Sequence, residues 1–129
     1  MQTRSVPFKN TDSYEGFAET TGLMRLEGEN LNIQFQTKDA ILGVVKSDIK
    51  DVTIPMDAID DVEFKKSMWG GKITLRLNQL DLINSLSGSI GGEFTFSVAR
   101  KDRELGSDVA RAIRLALSEY EYDKARAAS

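Results

Sequence analysis

Apolar and polar residues alternate with a period of two from Gly22 to Ala99. The period then lengthens to 3.6 and holds to about Tyr122. The first pattern predicts a run of antiparallel strands, the second a single terminal helix. Before Gly22 the pattern is weaker. Residues 1–16 are polar, with Val6, Phe8 and Tyr14 scattered among them, and read as a flexible N-terminal arm. The folded domain is expected over 17–126, and residues 127–129 read as a loose tail.

Turn residues set the expected registers. A two-residue turn at Gly28-Glu29 suits a hairpin that needs Gly at its first central position. It pairs Glu27 with Asn30, Leu26 with Leu31 and Met24 with Ile33, and it sets Gly22 opposite Phe35. The apolar members share one face, and Leu23, Arg25, Asn32 and Gln34 share the other, so turn and pattern agree. Gly70-Gly71 predicts a second hairpin, with Trp69 opposite Lys72, Met68 opposite Ile73, Lys66 opposite Leu75 and Phe64 opposite Leu77. Its outer face then sets Lys65 opposite Arg76. Further strands are expected at Ala40–Lys46, at Ile49–Ile54, which Pro55 closes, and at Glu93–Ala99, for seven in all. Asn78 to Gly92 is a long connection whose Leu80, Leu82, Ile83, Leu86 and Ile90 should hold it against the body.

The helix is expected to start at Asp102, a suitable N-cap. Leu105, Val109, Ala112, Ile113, Ala116, Leu117 and Tyr120 form one apolar stripe, while Arg103, Arg111 and Arg114 face away. Gly106 at the stripe's edge costs up to ~1 kcal/mol of helix propensity, and close approach to a strand is the expected return.

Composition narrows the chemistry. The 129 residues include no Cys and no His. That excludes disulfides, thiolate metal sites, a cysteine nucleophile and the commonest general base. The net charge is −3, and the window Asp48 to Lys66 holds six acids against three lysines. This balance argues against a dedicated nucleic-acid binder. The longest apolar stretch, Ala40 to Val45, is six residues, and a membrane-spanning helix needs roughly 20. The N-terminal residues form no apolar leader, so the expected location is cytoplasmic.

Seven antiparallel strands followed by an amphipathic helix is the element order of the pleckstrin-homology-like (PH-like) barrel. The chain resembles bacterial single-domain members in Ile54-Pro55-Met56-Asp57-Ala58-Ile59-Asp60-Asp61-Val62, in Trp69 before Lys72–Leu77, and in Phe94–Val98 running into Arg100-Lys101-Asp102-Arg103. The resemblance covers about residues 17–123. It implies a mainly β fold: a partly open seven-stranded antiparallel barrel of two near-orthogonal sheets, capped by one amphipathic helix. Phosphoinositide-binding members carry a basic loop between the first two strands. Glu27-Gly28-Glu29-Asn30, taken as that loop, has two carboxylates, so phosphoinositide binding there is disfavoured.

Three features could carry function. Asp57, Asp60, Asp61 and Glu63 offer oxygen ligands but no calcium-loop spacing, and they read as solubilising surface. The outer face of the second hairpin, Lys65, Trp69, Lys72 and Arg76, is a candidate partner or anion-binding face. Like charges opposed on a ladder repel, and an anionic partner relieves that cost. Leu82, Ile83, Leu86 and Ile90 make a candidate interaction loop. No catalytic residue, metal or cofactor is expected. The sequence points to a non-enzymatic interaction domain that contacts protein, most simply a second copy of itself in a homo-oligomer. The alternative is a peripheral membrane module binding anionic lipid through Lys65, Trp69, Lys72 and Arg76. A third reading is an enzyme or small-ligand carrier using the barrel's open end.

Overall fold

The structure, a computed structural model, describes residues 4–10, 18–39, 49–85 and 92–128. The strands are β1 (Arg4–Asn10), β2 (Ala18–Glu27), β3 (Asn30–Asp39), β4 (Lys50–Pro55), β5 (Ile59–Ser67), β6 (Gly70–Leu77) and β7 (Glu93–Ala99). Helix α1 (Leu80–Ser85) sits between β6 and β7, and helix α2 (Arg103–Ala128) follows β7. Short 3-10 turns at Met56–Ala58 and Arg100–Asp102 join β4 to β5 and β7 to α2.

The protein is therefore mainly β, with seven antiparallel strands and a C-terminal helix. The strands form one sheet in the order β4-β3-β2-β1-β7-β6-β5, and the sheet does not close. A single sheet replaces the two expected. Its halves, β1–β4 and β5–β7, meet among the described residues at one pair, Lys9 with Ser97.

The first hairpin has the expected register, with Glu27 opposite Asn30, Leu26 opposite Leu31, Met24 opposite Ile33 and Gly22 opposite Phe35. Gly28 takes φ 60° in the turn, a conformation that L side chains resist.

Both ends of the described chain differ from expectation. Arg4–Asn10 is a strand paired along its length with β2, not a loose arm. Val6 and Phe8 lie two residues apart and so share the inward face. Val6 is fully buried, and the Phe8 ring meets Phe96 edge-on at 4.7 Å. The tail is likewise shorter than expected, because α2 continues to Ala128.

The second hairpin turns at Met68-Trp69, two residues before the expected Gly70-Gly71. Ser67 pairs with Gly70, Lys65 with Lys72, Phe64 with Ile73 and Asp61 with Arg76. The two glycines lie inside β6 and answer a packing demand. A β-carbon on Gly70 would fall 2.1 Å from the Val98 carbonyl oxygen, and one on Gly71 2.6 Å from Cζ of Phe64. Moving the turn by two residues shifts each residue's partner by four, an even number that preserves the faces, so Val62, Ile73, Leu75 and Leu77 still point inward and are buried.

The strand expected at Ala40–Lys46 lies outside the described residues. The seven observed strands include β1 in its place.

Helix α2 buries Gly106, Val109, Ala110 and Ile113, with Ala116, Leu117 and Tyr120 packed at the edge of the core. Leu105, expected on this stripe, is 47% exposed. The stripe is rotated toward Gly106 because that residue alone lets the helix approach Phe64 and Val98. α2 touches β1 and β2 in one half of the sheet and β5 and β6 in the other. Arg103 and Arg114, expected to face solvent, reach the edge strand β5. Arg103 donates to the Ser67 carbonyl at 2.8 Å, and Arg114 donates to the Val62 carbonyl. Such contacts occupy edge carbonyls that would otherwise invite another strand.

Candidate functional site

The β5–β6 turn carries, on adjacent residues, the two most exposed large hydrophobic side chains among the described residues: Met68 is 72% exposed and Trp69 82%. The sequence placed Met68 on the inner face. The earlier turn moves it to the tip, because both glycines that follow are committed to β6.

Cations flank this tip on both faces of the hairpin. Lys65 and Lys72 oppose each other directly on the outer face, where Lys65 also approaches Glu63 at 3.8 Å. Lys66 is opposite Gly71 on the helix side and approaches Glu104 of α2 at 3.7 Å. Gly70 pairs with Ala99, so the backbone of Arg100 lies 3.3 Å from where a β-carbon of Gly70 would sit. That pairing carries the exposed Arg100 and Lys101 to the tip from the far end of β7. Sequence spacing alone could not show this, because it depends on the pairing of β6 with β7.

Arg76 does not belong to this group. It is opposite Asp61, and it donates to a carboxylate oxygen of Glu93 at 2.8 Å. That hydrogen bond and the charge of Glu93, aided by Asp61 and Asp60, raise its already high pKa. Of the four residues expected on the face, the structure thus groups Lys65, Trp69 and Lys72 and neutralises Arg76. Met68, Lys66, Arg100 and Lys101 complete the surface.

Other candidates resolve differently. Asp60 accepts a hydrogen bond from the Asn78 amide at 2.7 Å, and the same amide donates to the Asp57 carbonyl. Asp61 stands 4.0 Å from Arg114. Among the described residues no group of three or more acids is placed to hold a metal ion. Leu82 and Ile83 of α1 are half-buried against the core, while Leu86 and Ile90 lie outside the described residues.

The carboxylate loop Glu27-Gly28-Glu29-Asn30 joins β2 to β3. The connection between the first two strands is 11–17, which lies outside the described residues.

A groove of about 400 Å³ runs over Gly22, between Pro7 and Leu23 on one side and Gln34 and Ile49 on the other. Its described lining is apolar but for the Thr21 hydroxyl and the Gln34 and Gln36 amides, with no carboxylate, imidazole or amine to move a proton. On the outer face nearby, Gln34 donates to Asp51 at 3.1 Å and Asn32 donates to its other oxygen. The Gln34 bond, then the Asn32 bond, hold the Asp51 carboxyl below the ordinary carboxylate range, with a smaller contribution from Arg25.

No described helix is long and apolar enough to cross a membrane. No family model matches the chain, and no curated protein or solved structure matches it.

Proposed function

We propose that this chain is a non-enzymatic, PH-like docking domain whose contact organ is the β5–β6 tip. One observation carries this reading: Met68 and Trp69 stand exposed side by side at the tip of a hairpin, ringed by Lys65, Lys66 and Lys72. Large adjacent apolar groups on a projecting turn weaken solubility and return no core packing, so a binding role accounts for them. The strand order and the helix spanning both halves of the sheet support the PH-like assignment.

A photoreactive residue at position 69, with a control at the exposed Glu121, tests the reading in cells. Adducts formed from position 69 and absent from position 121 support it. Equal labelling from both positions, or none from position 69, overturns it.

A further inference from the structure

Resting on the docking-tip reading, we propose that the partner is an anionic bilayer surface. Met68 and Trp69 enter the headgroup layer while Lys65, Lys66, Lys72, Arg100 and Lys101 bind lipid phosphates and carboxylates.

The argument begins with charge. The chain carries −3 overall, yet the tip gathers five exposed cations around two apolar side chains, with Glu63 beside Lys65 and Glu104 beside Lys66 as their only ion-pair partners among the described residues. A cationic end on an acidic body aligns the molecule with that end toward a negative surface. Lys65 and Lys72 repel each other across the ladder, and nearby lipid anions relieve that repulsion.

Shape points the same way. Cations lie on both faces of the hairpin, so the turn can enter a surface end-on with charge on either side. A stable protein contact would bury roughly 800 Å² per partner and place few lysines at its centre. Two apolar side chains within a ring of lysines do not fit that description. Trp prefers the membrane–water interface, where its ring is buried and its N–H stays wet. Neither signal alone anchors a protein firmly, but an apolar wedge and a cationic ring act together. The site differs from a stereospecific phosphoinositide cradle, because it calls only for negative charge.

The chain's sole tryptophan is Trp69, so its emission reports on this tip alone. The intact chain is floated with vesicles of phosphatidylcholine, or of phosphatidylcholine mixed with phosphatidylserine. Flotation and a blue-shifted emission are expected with the mixed vesicles only, and added salt should reverse both. A lysine or arginine near such a surface is worth about fivefold in partitioning. Lys72→Glu should therefore lower binding at least about fivefold. It also removes the repulsion from Lys65, so lost binding with an undiminished melting temperature cannot be ascribed to unfolding. Trp69→Ser should also float less.

Equal flotation with both vesicle types, or no flotation and no shift with the mixed ones, overturns the proposal. If vesicles leave Trp69 wet but position 69 still crosslinks to protein, the membrane assignment falls and the docking tip stands. If neither occurs, both readings fall.

Discussion

Gly106 of α2 and Phe64 of β5 stand in close approach: a β-carbon on Gly106 would lie 3.1 Å from Cε1 of Phe64. Two Val98 methyls stand at 3.3 Å from the same point. Gly106→Val would gain helix propensity but force α2 off the sheet. Overpacking of this kind costs ~1–3 kcal/mol. A urea-unfolding midpoint equal to or above that of the wild type would show that the helix does not seat there.

Ile113 is fully buried beneath α2, whereas Leu105 is nearly half exposed. Ile113→Ala should lose ~2–5 kcal/mol, and Leu105→Ala should stay within about 0.5 kcal/mol of wild type. The reverse order would mean that the helix is rotated from the position described.

Asp51 gives acid sensitivity a defined sign. Its carboxyl is held below the ordinary range chiefly by Gln34 and then by Asn32. A depressed carboxylate contributes stability that is complete above its unfolded pKa of about 3.9 and lost as pH falls through the lower folded value. Unfolding followed from pH 5 downward should show a shallower acid loss in Asp51→Asn than in wild type. Identical slopes would mean that the ladder of amides does not grip the carboxylate in solution.

Trp69 should emit as a wet indole in the isolated chain at low concentration, since 82% of it is exposed. Trp69→Ser should move stability by less than about 0.5 kcal/mol. A buried-type spectrum, or a larger loss, would place a covering element over the tip.

Legibility in the sequence followed the physics residue by residue. Gly28-Glu29 was read in register because one constraint, the turn, coincided with a second, the alternation. Gly70-Gly71 misled because a missing side chain serves two ends, a permissive backbone and a close approach, and here Phe64 and Val98 impose the second. β1 escaped notice because Val6 and Phe8, divided by Pro7, are too few to declare a period. Their burial against Met24 and Phe96 is a tertiary outcome. Arg103 and Arg114 looked like solvated surface, since nothing local to a helix shows that an edge strand lies beside it. The β5–β6 tip was half legible for the same reason. Lys65, Trp69 and Lys72 are neighbours along one hairpin, but Arg100 and Lys101 arrive through the pairing of β6 with β7.

The junction of Lys9 with Ser97 bears on how the molecule yields. Within each half, neighbouring strands are laddered along many residues, but between the halves the described backbone contributes one pair. The backbone ladder between the halves is short, and the side-chain core, with Phe8 against Phe96, and α2 brace both. Stress should therefore part the molecule along that seam before it unzips any hairpin. Amide protons beside the seam would then exchange by an opening that leaves both halves intact, while those within the ladders wait for global unfolding. Weakening the brace at Ile113 should widen that gap in protection.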